Sequence, residues 1–196
     1  MSDKLPLLYL ARHGDTAWTE SHQHTGRTDL PLNEHGKEHA RLLGARLKGL
    51  VFARVFTSPL QRAARTCELA GFDRAEVDPD LIEWAYGEYE GVRTAEILAK
   101  RPGWELFRDG CPGGESPQDV AARADRFVAK VRQIGNDVLA FSSGHILRVI
   151  AARWLGLPAS AGRYFFCSPA GLGVLGYEHS RDEPVLRLWN EGGLGS

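Results

Sequence analysis

The chain has 196 residues, 43% of them apolar, and 24 Lys and Arg balance 25 Asp and Glu to a formal charge of −1. That is enough for one substantial core, a single domain over residues 1–196, and it offers no global field for nucleic acid or an anionic membrane. The three cysteines, Cys67, Cys111 and Cys167, are scattered, odd in number and without paired metal-ligand spacing, which predicts neither disulfides nor a zinc site and fits a reducing cytoplasm.

The apolar run 7–11 predicts a buried strand whose carboxyl end delivers Arg12, His13 and Gly14: a cation, an imidazole and a permissive glycine. The apolar run that follows the N-terminus is too short for a signal peptide, and no stretch reaches membrane-spanning length. Residues 18–33 are polar and aperiodic and predict an active-site loop. Leu43, Leu47 and Leu50 recur at helical spacing from about Glu34, a strand is predicted over 53–57, and a helix from near Leu60 carries Arg62 in its first turn.

Residues 77–83 predict a short strand or extended segment, and the glycine-rich aromatic stretch 84–91 a second functional loop before a short helix through Leu98. Residues 100–117 look irregular. Ser116 as cap, Pro117 at the first helical position and Asp119 in the first turn predict a long helix to about Ile134, with Val120, Ala124, Phe127 and Val131 facing inward. A strand over 137–142 leads through Ser143, Gly144 and His145 into a helix over 146–155, closed by Gly156 and Pro158. Residues 159–168 line either the pocket or an interface, with Phe165 and Phe166 expected in the core. Two late strands, about 171–177 and 184–189, finish an α/β domain: a three-layer α/β/α sandwich with a mainly parallel central sheet.

In such a fold Arg12, His13, Ser58, Arg62, Glu83 and His145 reach one edge of the sheet. Phosphoryl transfer uses that inventory. A neutral imidazole attacks phosphorus in line, two guanidiniums hold the equatorial oxygens, and a carboxylic acid protonates the departing alcohol before water attacks the phosphohistidine. Trp18, Trp84 and Tyr86 are candidates to line the pocket, whereas Trp104, Trp154 and Trp189 suit core or lid.

The chain resembles the histidine phosphatase superfamily, also called phosphoglycerate mutase-like. The resemblance runs through Arg12-His13-Gly14-Asp15-Thr16-Ala17-Trp18, residues 25–36, residues 57–66, Glu83 with residues 86–91, and Gly144-His145. It implies a phosphoglycerate mutase-like fold with His13 as the phosphorylated nucleophile, Arg12 and Arg62 as phosphate clamp and His145 as a second phosphate-facing imidazole. Glu83 would be acid and base, with Glu88 as fallback, so activity should fall on the alkaline side. Thr19, Gln23, His24, Thr25, Gly26, Tyr86, Ser143 and Gly144 are the expected substrate-binding residues, and neither a cofactor nor a metal is expected.

Two departures separate the chain from glycolytic mutases: Thr19 stands where they usually carry Asn, and the long insertion expected after Gly91 is missing. Ser143 also replaces a histidine common among relatives. Residues 23–26, 83–91 and 104–116 look like sugar-phosphate phosphatases related to sedoheptulose-1,7-bisphosphatase, with His24 in place of an aromatic residue. Residues 101–115 would then form a partial lid, and Arg93, Lys100, Arg101 or Arg108 could meet a second phosphate. The expectation is a cytoplasmic, metal-independent phosphomonoesterase acting on a small sugar phosphate or bisphosphate. A mutase-type phosphotransferase and a non-catalytic phosphate-binding interaction protein are the alternatives. Its partner would be a small phosphorylated metabolite, with no nucleic acid and no membrane, and the oligomeric state stays open, a homodimer included.

Overall fold

Strands apolar on both faces require helices on both sides of their sheet, and the computed structural model of the protein, which describes residues 4–192, has that arrangement. Strands β1 (Leu8–Arg12), β2 (Arg54–Thr57), β3 (Glu76–Val77), β4 (Val138–Ser142), β5 (Leu172–Tyr177) and β6 (Pro184–Glu191) form one sheet in the order β3-β2-β4-β1-β5-β6. The first four positions run parallel, and β5 and β6 add an antiparallel edge. The helices are α1 (Ala17–Glu20), α2 (Glu34–Leu47), α3 (Gln61–Leu69), α4 (Thr94–Lys100), α5 (Leu106–Asp109), α6 (Pro117–Ile134) and α7 (Gly144–Trp154).

Side chains of alternating strand residues divide between two cores. Leu43 and Leu47 of α2 and Cys67 of α3 pack with Ala11, Leu139, Phe141 and Leu172. On the other face the inward residues of α6, Val120, Ala124, Phe127 and Val131, join α7 against Leu8, Leu10, Phe56, Val138 and Ala140. The ends of α6 are written in its sequence: Ser116 and Asp119 form a reciprocal capping box, Pro117 occupies the first turn, and Gly135 terminates the helix at φ 67°.

Several expectations need correction. Leu50 lies beyond α2 and is 41% exposed. Within 77–83 only Val77 is a strand residue, because Asp78 caps a 3₁₀ turn over Pro79–Leu81. The loop 18–33 begins in the short helix α1, held by a Thr16–Thr19 capping box, and the irregular stretch 100–117 contains α5. Helix α7 starts at Gly144, so His145 sits inside its first turn. Phe166 is 58% exposed rather than core. None of the described helices is long and apolar enough to cross a membrane.

Candidate active site

The register of the sheet builds the site. Arg12 pairs with Ser142 and Thr57 with Phe141, so β1, β2 and β4 end together, and ligands of such sheets bind beyond that edge. A cavity of about 640 Å³ opens there, with Arg12, His13, Glu83 and His145 in its wall.

His13 is buried, and its Nδ1 lies 2.7 Å from the Gly14 carbonyl oxygen. A carbonyl can only accept, so Nδ1 carries the proton and Nε2 keeps its lone pair. That lone pair accepts from Arg62 Nε at 3.2 Å. Burial, then the positive charges of Arg62 and Arg12, hold the His13 pKa well below 6.5, so the ring is neutral at pH 7. The turn after β1 is close-packed: a Cβ on Gly14 would stand 2.2 Å from the Gly36 carbonyl oxygen.

Arg62 is fully buried and does not line the cavity. Its Nη1 donates to the Thr28 carbonyl at 2.9 Å and its Nη2 to those of Thr25 and Gly26 at 3.1 and 2.8 Å, so it ties the 25–28 loop to His13. Gly26 is also buried, outside the cavity wall, and is fixed by Glu90, whose carboxylate accepts its N–H at 2.8 Å. A Cβ there would meet the Trp84 carbonyl oxygen at 2.4 Å. Gly26 therefore shapes the loop and leaves no face for a ligand, contrary to the expected contact.

Glu83 reaches the amino end of α7. Its Oε2 accepts from the His145 N–H at 3.0 Å, and its Oε1 from the N–H groups of Ile146 and Trp84 at 2.9 and 2.8 Å. It serves the helix as a cap, because Ser143 makes no side-chain capping bond. The Ser143 hydroxyl and Arg12 Nε are buried polar atoms without a partner among the described residues. Gly144 lets Arg12 approach, since a Cβ there would lie 3.2 Å from Arg12 Nε. Two unpaired donors next to a helix amino terminus suit an anion.

His145 differs from His13 in its tautomer. Its Nδ1 contacts the Tyr86 hydroxyl, which has no other hydrogen-bond partner among the described residues. Burial pushes the Tyr86 pKa well above 10.0 and, with Arg148, holds that of His145 well below 6.5. A protonated phenol donating to Nδ1 leaves Nε2–H as a donor toward the cavity.

Of the expected substrate-binding residues, Thr19, Gln23, His24, Thr25, Tyr86 and Gly144 line the cavity, whereas Gly26 and Ser143 do not. The Thr19 hydroxyl is engaged with Thr16, and Gln23 Nε2 donates to the Gly91 carbonyl at 2.7 Å. The His24 ring lies against Tyr86, centroids 4.8 Å apart, and burial lowers its pKa. Trp84 is wholly buried, outside the cavity wall, with Nε1 donating to the Glu115 carbonyl. The fallback carboxylate, Glu88, is exposed and away from the cavity.

Arg93, Lys100, Arg101 and Arg108 are all outside the cavity wall; Arg93 pairs with Glu96 and Arg108 with Asp109. The stretch proposed as a lid buries Trp104, Leu106, Phe107 and Cys111 in the core. Sequence reasoning missed Arg148, His35 and His39, which do line the cavity. Arg148 follows His145 by three residues, which puts both on one helix face, and that spacing was the available signal.

The family model described as histidine phosphatase superfamily (branch 1) matches residues 8–192. An acid phosphatase of Mycobacterium tuberculosis is 40% identical over 92% of each chain. Sedoheptulose 1,7-bisphosphatase of Saccharomyces cerevisiae is 30% identical over 96% of this chain and 94% of its own. Proteins named phosphoglycerate mutase are also among the relatives. The solved structure of a Mycobacterium tuberculosis open reading frame superposes with a TM-score of 0.92 at 38% identity, covering 96% of this chain and 99% of that one. The phosphoglycerate mutase-like fold and the matched length agree: this chain belongs to the histidine phosphatase superfamily.

Proposed function

We propose that the protein is a phosphomonoesterase that hydrolyses a small sugar phosphate or bisphosphate through a phosphohistidine on His13, without a metal in the chemical step. The observation that carries this reading is the His13 tautomer: with Nδ1–H held by Gly14, Nε2 has the lone pair needed for attack. In the first step the Nε2–P bond forms as the ester P–O bond breaks, and the leaving oxygen takes a proton from Glu83. In the second, water attacks phosphorus, gives a proton to Glu83, and the N–P bond breaks to release phosphate.

Arg12 and His145 Nε2–H, in the cavity wall, are the donors available to the equatorial oxygens, and Arg62, buried behind His13, reaches phosphate only through the Nε–H that it gives to His13 Nε2 in the free protein. Arg148 lines the cavity near His145 and supplies the charge for a second anionic group. One catalytic domain suffices, and every group invoked comes from one chain. The three cysteines are free and buried, in keeping with a reducing cytoplasm.

The test is phosphate release from a panel of sugar monophosphates and bisphosphates, with a chelator present and His13→Ala as control, together with trapping of the phosphoenzyme. Chelator-resistant turnover that needs His13 and passes through an acid-labile phosphohistidine is the expected result. Turnover indifferent to His13 overturns the reading, and a phosphoenzyme stable to water until a phosphorylated acceptor arrives identifies a mutase.

A further inference from the structure

We propose that Asp15, His35 and His39 form a binding site for one divalent first-row transition ion of the Zn²⁺ or Co²⁺ class, set in the wall of the cavity that holds His13. His35 and His39 are four residues apart in the first two turns of α2, so their side chains leave the same helix face. Their rings lie 4.7 Å apart, centroid to centroid. Asp15 is brought to them by the packing of the first loop: a Cβ on Gly36 would stand 2.2 Å from the Asp15 carbonyl oxygen, and Asn33 donates its N–H to that oxygen at 3.0 Å. With both glycines lacking a Cβ, the loop after β1 rests on the start of α2.

One potential ligand atom from each residue falls within 4.8 Å of the others. Two ligands on metal bonds of about 2.0–2.2 Å sit roughly 3 Å apart, and Asp15 Oδ2 and His39 Nδ1 are already 2.8 Å apart in a hydrogen bond, whose proton passes to solvent when the ion takes its place. Those two side chains are only 15% and 12% exposed, so they are held in place. The third member, His35, is exposed and makes no side-chain hydrogen bond among the described residues. A rotation about its side-chain bonds closes the remaining distance. Two imidazoles and a carboxylate favour ions such as Zn²⁺ and Co²⁺ over Mg²⁺, which prefers oxygen ligands.

Three protein ligands leave coordination positions open. All three residues line the cavity, so those positions face it and accept water or an oxygen of a bound anion. The site does not depend on the His13 chemistry, and no step proposed above passes through the ion. Cysteine spacing carries no sign of it, because its ligands are two imidazoles one helical turn apart and a carboxylate from the preceding loop.

The test uses the full chain without a polyhistidine tag, stripped with chelator and titrated with Co²⁺, read by ligand-field absorption and calorimetry, then with Zn²⁺ in competition. The expected result is one ion per chain, displaced by Zn²⁺, with affinity reduced roughly tenfold or more in His35→Ala and His39→Gln. His35 is exposed, so its variant keeps the fold, and a thermal melt checks both proteins. His13→Ala should bind Co²⁺ as the unmodified chain does while losing phosphate release, which separates this proposal from the phosphatase reading. Absence of stoichiometric binding, binding by the His35 and His39 variants as tight as by the unmodified chain, preference for Mg²⁺, or loss of binding in His13→Ala each overturns the site.

Discussion

His13 and His145 each lie just beyond a buried parallel strand and next to a glycine, yet they are held in opposite states. His13 has its Nδ1 on a carbonyl and its Nε2 facing a guanidinium, while His145 has its Nδ1 on a phenol and its Nε2–H free. The first ring presents a lone pair and the second a proton. The difference comes from the partner at Nδ1, an acceptor in one case and a donor in the other. In the mechanism proposed above, one hydrogen bond each thus decides which histidine attacks phosphorus and which holds it.

The most severe way to break this contrast is His13→Ala, which should lower the rate of phosphate release by about 10⁴-fold or more and abolish the phosphoenzyme in rapid-quench trapping. His145 cannot substitute, because its Nδ1 accepts from the Tyr86 phenol and the nitrogen that faces the cavity, Nε2, carries a proton. Next in size is Glu83→Gln. Loss of the proton donor should cost about 10²–10⁴-fold in kcat on alkyl phosphates, and less on p-nitrophenyl phosphate, whose leaving group needs no proton. An equal loss on both substrates would remove Glu83 from the acid role. Because the same carboxylate accepts three N–H bonds, the variant should also lose about 1–3 kcal/mol of stability, measured by urea unfolding.

Tyr86→Phe probes the other histidine. Without the phenol, the His145 Nδ1 no longer has a donor and the tautomer preference is lost, so kcat/KM should fall roughly tenfold; unchanged kinetics would mean that Nε2–H is set by another contact. The smallest effect is a shift in pH profile. His13 must be neutral to attack, and burial followed by Arg62 and Arg12 keeps its pKa well below 6.5. The acid limb of kcat/KM should therefore lie below pH 6.5, and in Arg62→Met, with one positive charge removed, it should move upward toward that value. A limb that stays in place would show that the Arg62 charge does not set it.

The Arg-His-Gly turn, the α6 cap and the strands that flank the site were legible because each is written in neighbouring residues. What was not legible depends on contacts between distant segments. Arg62 was readable as a cation near the site, but its position behind His13 follows from the Thr25, Gly26 and Thr28 carbonyls, which belong to a different loop. Glu83 was placed by its motif, whereas its bonds to the α7 backbone needed the fold. Arg93 and Arg108 drew attention as charges in a suggestive loop, yet adjacent carboxylates occupy them. Trp84 stands next to Glu83 in the chain but is packed in the core, where its Nε1 donates to the Glu115 carbonyl of a distant segment.

Arg62 has five N–H groups, and four protein hydrogen bonds already engage its guanidinium. A flexible arginine arm would have to be ordered at each encounter with a ligand; this one gave up its rotational freedom when the chain folded. Inorganic phosphate or vanadate should then bind with little conformational entropy loss, and the bound and free backbones of the 25–28 loop should coincide. The site meets its ligand as a mould rather than as a hand.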